Sequence, residues 1–117
     1  MRMEHVTIYT NDLEKSVMFY QEMIGLDVTG DLRDMGSPIV FLCGPEGGTQ
    51  VELIESPEEA YTGKGLSIGF FTEDVEKARE KVMEKGYSPT EIISPHPDVR
   101  FFFFHDPNGV KIQFIGK

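Results

Sequence analysis

Four polar side chains interrupt strand-like apolar runs in this chain: His5 in HVTIYT, Glu52 in QVELIE, Ser67 in SIGFFT and Gln113 in KIQFI. An imidazole and a carboxylate are the groups best suited to bind a polar ligand or exchange a proton with it, and Glu52 can serve as a general base. Taken singly, His5 reads as a strand-end histidine bonded to a neighbour, and Glu52 as a carboxylate paired with Lys111 or His5. Convergence in one concave site would turn them into a ligand-binding set.

A repeat relates the four positions. HVTIYTNDLEKS (5–16) lies over SIGFFTEDVEKA (67–78) at an offset of 62, which matches His5 with Ser67. GPEGGTQVELI (44–54) lies over HDPNGVKIQFI (105–115) at an offset of 61, which matches Glu52 with Gln113. In each copy a β-rich run ends in Thr-Asn-Asp or Thr-Glu-Asp, groups that cap a helix by accepting from its free N–H groups. Leu13, Val17, Tyr20 and Ile24 form one apolar helical stripe, and Val75, Ala78 and Val82 form the other. Gly25 and Gly86 supply left-handed terminators, and the change of offset between helix start and glycine marks one residue lost in the second copy.

Each copy then shows one further strand, in LDVTGDLRD (26–34) or YSPTEIIS (87–94), followed by a hairpin turning at Gly47-Gly48 or Asn108-Gly109. The expected fold is α+β: two tandem βαβββ modules, 1–55 and 66–117, forming a curved sheet with a central cleft in a single domain. Residues 56–65 form the polar linker. Duplicated sheets that cannot bury themselves alone bring matching positions to a shared cleft.

Alternation assigns faces to the strands. His5, Thr7 and Tyr9 oppose Val6 and Ile8; Ser67 opposes Ile68 and Phe70; Lys111 and Gln113 oppose Ile112 and Phe114. In VRFFFFHD (99–106) the expectation is that one phenylalanine pair packs on the helices, while Phe102 and Phe104 line the cleft with Arg100, Phe71 and Tyr9. A strand buried on both faces is the alternative. His96 and His105 fall at strand ends and read as solvated.

The tandem βαβββ plan, the early His5, VELIE on the fourth strand and DPNGVKIQF at the end resemble the vicinal oxygen chelate superfamily, which includes glyoxalases, extradiol dioxygenases and bleomycin-binding proteins. The resemblance covers the whole chain. It implies a small-molecule ligand, a homodimer, and one divalent ion (Ni, Zn, Mn or Fe) or none at all. His5 and Glu52 would be metal ligands by that resemblance, with Gln113 offering a carbonyl oxygen. Ser67 stands where a histidine is expected and Gln113 where a glutamate is, and a neutral hydroxyl is a poor metal donor. In relatives whose clefts are completed across the dimer, Ser67 and Gln113 of one protomer would meet His5 and Glu52 of its partner. Two functions follow: a glyoxalase-like lyase or isomerase that forms an enediolate-type anion, or a non-catalytic protein that sequesters a drug or metabolite.

Composition narrows the partners. A formal net charge of −9, from 20 acidic against 11 basic residues, repels phosphate backbones and anionic lipid, so neither nucleic acid nor membrane is expected. Cys43 is the only cysteine, which rules out an intrachain disulfide and fits a reducing cytoplasm. It reads as a small core residue rather than a nucleophile.

Overall fold

The computed structural model describes residues 1–117, and the chain divides into two compact units, Met1–Thr62 and Gly63–Lys117. Each is a βαβββ module. The first runs β1 (His5–Thr10), α1 (Leu13–Phe19), a π-helical turn (Tyr20–Ile24), β2 (Asp27–Asp31), a 3-10 turn (Arg33–Met35), β3 (Ile39–Cys43) and β4 (Gln50–Glu55). The second runs β5 (Ser67–Thr72), α2 (Val75–Glu84), β6 (Ile93–His96), β7 (Val99–His105) and β8 (Lys111–Gly116). No helix is long and apolar enough to cross a membrane.

The two sheets have the same order, β1-β4-β3-β2 and β5-β8-β7-β6. In each, the outer strand that precedes the helix runs parallel to its neighbour, and the other pairings are antiparallel. The helix covers one face of its own sheet. On that face a cross-strand row Ile8–Leu53–Val40 in the first module corresponds to Phe70–Phe114–Phe102 in the second. Leu53, Val40 and Phe102 are fully buried, as are Tyr20 from the π turn and Val75 and Val82 from α2.

Local chemistry sets the helix limits. Asp12 and Asp74 have nearly the same extended backbone, and each accepts a hydrogen bond from the N–H three residues on, Lys15 or Lys77, at 3.0 Å. Gly25 and Gly86 follow the helices with φ of 86° and 90°, a conformation other residues reach only with strain. The extra residue of the first copy sits in the π turn, the usual way a helix absorbs a single insertion.

The second strand of the second module, β6, starts later than its sequence suggests. Residues 87–92 are not strand, because Pro89 has no N–H to give a ladder. Thr90 bridges instead: its N–H donates to the Phe103 carbonyl at 2.8 Å and its Oγ1 accepts from the Phe103 N–H at 3.0 Å.

Candidate functional site

The parallel register of β1 and β4 sets Thr7 beside Glu52 and His5 beside Gln50, all on the face opposite the helix. Phe41 on β3 pairs with Glu52 from the other side. The Thr7 hydroxyl donates to Glu52 Oε1 at 2.5 Å, and His5 Nε2 lies 3.5 Å from the same oxygen. A hydroxyl bond of this length to a carboxylate is a charge-assisted one. The longer imidazole approach gains strength only when His5 is protonated. The Phe41 ring stands edge-on to the imidazole, with centroids 6.0 Å apart, and limits its swing.

Glu52 is only 13% exposed while His5 is 41% exposed. The carboxylate is therefore the more withdrawn of the two groups, and the imidazole is the more open to solvent. Both contacts use Oε1, which leaves Oε2 for a donor from outside the chain. Further along the same face, Thr29 donates to Gln50 Oε1 at 2.5 Å, so the polar strip continues across the sheet. Tyr9 completes β1's contribution to this face and is paired with Ile54.

In the second module the corresponding face is built from Ser67, Gly69 and Phe71 on β5, Lys111, Gln113 and Ile115 on β8, and Phe101 and Phe103 on β7. Gln113 stands in register with both Gly69 and Phe103. Lys111 Nζ sits 4.1 Å from the centre of the Phe103 ring, a cation–π contact that spends the lysine charge within the protein.

Three expected cleft contacts are corrected, since Phe104, buried and stacked on Phe102, lies with Phe102 and Arg100 on the helix-covered side. Phe102 is 0% exposed and packs edge-to-face on Phe114, on the helix-covered side of the sheet. Arg100 shares that side and donates to Glu76 of α2 at 2.6 Å. The register pairs Phe103 with Gln113 and Phe102 with Phe114, so the phenylalanines on the helix-free side are Phe101 and Phe103. A run of four identical residues carries no alternation of its own, so only the pairing partner could have revealed this. Alternation already sets Gly69 on the face of Ser67, whereas Phe41, Gln50 and Thr29 go unmarked in the sequence, and Phe41 was findable as the strand neighbour of Glu52.

The donor set does not match what a divalent ion requires. No group of three or more His, Cys, Asp or Glu side chains gathers to hold one. His5 and Glu52 are one imidazole and one carboxylate, with Oε1 already hydrogen-bonded. Their counterparts Ser67 and Gln113 supply only neutral oxygens. Catalytic divalent sites use about three protein donors, most of them anionic or imidazole, so this set does not fit a tightly held ion.

The chain matches the model of the Glyoxalase/Bleomycin resistance protein/Dioxygenase superfamily over residues 2–114, and it belongs to that superfamily. Among characterised and uncharacterised relatives, it is 29% identical to YwbC of Bacillus subtilis strain 168, an alignment that covers 97% of this chain and 96% of that protein. It is also 29% identical to a lactoylglutathione lyase of Neisseria meningitidis serogroup A, over 100% of this chain and 91% of the lyase. The structure of TnmS3, an antibiotic binding protein from Streptomyces sp. CB03234, superposes with a TM-score of 0.80 at 22% identity, covering 97% of this chain and 93% of that one. At that identity the likeness speaks to the fold.

Proposed function

We propose that the protein binds a small organic molecule against the helix-free face of its first sheet, with Glu52 as the polar anchor. The Thr7–Glu52–His5 arrangement carries this reading. A hydroxyl donor fixes the carboxylate, an imidazole stands beside it, and Oε2 is the acceptor offered to a guest. Few, well-placed polar groups among apolar side chains are what a small-molecule site needs. His5, Thr7 and Tyr9 complete the ligand-binding set in this reading, and the protein is a cytoplasmic homodimer that neither spans a membrane nor binds nucleic acid.

The function is sequestration without a tightly bound metal. Elemental analysis after purification in buffer containing nickel, zinc and manganese is expected to return well under one ion per chain. A stoichiometric ion would replace this reading with a metal-assisted lyase. Calorimetric screening of small organic ligands is expected to give a binder whose affinity falls roughly tenfold or more in Glu52→Gln, since a charge-assisted hydrogen bond is lost.

The full-length likeness to a lactoylglutathione lyase favours one second reading. There Glu52 removes a proton from the carbon next to a carbonyl and returns it to the neighbouring carbon after an enediolate-type anion has formed. Lactoylglutathione production from methylglyoxal and glutathione, absent in Glu52→Gln, would establish it. No turnover by the wild-type protein would leave sequestration as the function.

A further inference from the structure

The turn that joins β7 to β8 contains the only Asn-Gly pair in the chain, Asn108-Gly109. Glycine has no side chain to shield its backbone nitrogen, so in a free peptide this nitrogen reaches the preceding carboxamide and cyclises on it. The first module offers no such chemistry, because its matching turn has Gly47-Gly48. The other asparagine, Asn11, is followed by Asp12, whose backbone N–H donates to Thr10 Oγ1.

In the folded chain Asp106 holds both reacting groups. The Gly109 N–H, whose nitrogen is the nucleophile, donates to the Asp106 carbonyl at 3.1 Å. The Asn108 carboxamide, the group to be attacked, donates through Nδ2 to Asp106 Oδ2 at 3.2 Å. Asp106 Oδ1 accepts from the backbone N–H of Asn108 at 2.8 Å and of Val110 at 2.9 Å, which holds the peptide planes on either side of Gly109. The Asp106 N–H closes the loop on the Val110 carbonyl at 3.0 Å. Asp106 and Val110 are buried, so this clamp is anchored in the module, while Asn108 is half-buried and Gly109 is exposed to water. A carboxylate beside Gly109 also opposes the negative charge that its nitrogen must acquire to attack.

We infer that Asn108-Gly109 is a latent deamidation site, kept unreactive by the Asp106 clamp and released when the β7–β8 turn opens. On opening, the Gly109 nitrogen gives up its proton and bonds to Asn108 Cγ. The carboxamide nitrogen takes a proton and leaves as ammonia, and a five-membered imide remains. Water then opens the imide at either carbonyl, giving an aspartate or an isoaspartate at this position. Either product sets a new negative charge beside Asp106 and lacks the Nδ2 donor, so the turn no longer closes with its former bonds. Each opening that reacts is thereby recorded covalently in the strand pair that carries the buried Phe102, Phe104 and Ile112. The site uses none of His5, Thr7 or Glu52, so it stands or falls apart from the first-module reading.

Mass spectrometry of the tryptic peptide that carries Asn108 follows its conversion from amide to acid in mildly alkaline buffer. The folded full-length chain should convert at least about tenfold more slowly than the same chain in urea, because only the open fraction reacts. Hydrogen exchange of the Gly109 and Val110 amides measures that fraction independently, and it should predict the folded rate within about threefold. Asp106→Ala, once melting shows it folded, should react about tenfold faster or more than the folded wild type, since the turn has lost its anchors. Asn108→Asp, which carries the aspartate product, should melt below the wild type; melting at or above it would overturn the loosening of the turn. Folded and urea-treated chains that react at one rate, or a folded rate far above the one exchange predicts, would overturn the inference. So would a folded Asp106→Ala that reacts as slowly as the wild type. Where that variant does not fold, the agreement between exchange and deamidation decides the matter alone.

Discussion

The two modules share a backbone plan and differ in what they place on the helix-free face. At equivalent positions the first has Thr7, Glu52 and Phe41, and the second Gly69, Gln113 and Phe103. In the first, a hydroxyl locks a carboxylate. In the second, an amide oxygen rests over a glycine and a lysine-capped ring stands beside it. The covered faces diverged differently: aliphatic Ile8, Leu53 and Val40 in one copy, aromatic Phe70, Phe114 and Phe102 in the other. The packing side need only stay apolar and filled, while the other side carries a carboxylate in one copy and a neutral amide in the other.

The largest test of this contrast lies within the phenylalanine run. Phe102→Ala empties a fully buried position and is expected to cost about 3–5 kcal/mol, whereas Phe103→Ala, on the partly exposed side, should cost about 1–2 kcal/mol. Urea unfolding of the two variants side by side measures the difference. Equal costs would mean that the two faces of β7 are not distinguished as the pairing register states. Next in size is Thr7→Val, which keeps shape but removes the donor to Glu52 and should cost about 1–2 kcal/mol. A neutral result would show the carboxylate satisfied elsewhere.

A smaller effect sharpens the part of the comparison in which the copies agree. Asp12 and Asp74 cap their helices with the same backbone geometry and the same 3.0 Å bond, so each alanine variant should lose about 1 kcal/mol. Thermal or urea unfolding that separates them widely would break the equivalence of the two helix starts.

Much of this was written in the sequence because repeats compare a chain with itself. The matched Asp12 and Asp74, the glycines after each helix and the alternation around His5 and Glu52 are local signals, and local chemistry decides them. What the sequence hid depends on partners far along the chain. Four phenylalanines in a row erase alternation between residues 101 and 104, and only the pairing of Phe103 with Gln113 fixes their sides. Arg100 looked like a ligand contact until Glu76, on a helix 24 residues earlier, claimed it. The π turn was legible as a surplus residue, since 13 positions separate Asp12 from Gly25 and 12 separate Asp74 from Gly86, but its form was not.

Ion pairs give the finest contrast. The second module ties strand to helix through Arg100 and Glu76, 24 residues apart, while the first carries Asp31 and Arg33, two residues apart and bonded at 2.7 and 2.9 Å. The guanidinium of Arg33, through side-chain hydrogen bonds first and its backbone N–H second, lowers the Asp31 pKa from 3.8 to about 2. A carboxyl whose folded pKa is depressed contributes stability above its unfolded value, and that contribution fades as pH falls from about 4 through about 2. Because the partners are neighbours in sequence and open to water, part of the contact persists after unfolding and salt screens the rest. The gap in urea midpoint between the wild-type protein and Asp31→Asn should therefore be small at neutral pH and close across that acid window. It should shrink again in concentrated salt. A gap that stays constant from about pH 5 to about pH 2 would show that the shift of Asp31 does not distinguish the folded chain from the unfolded one.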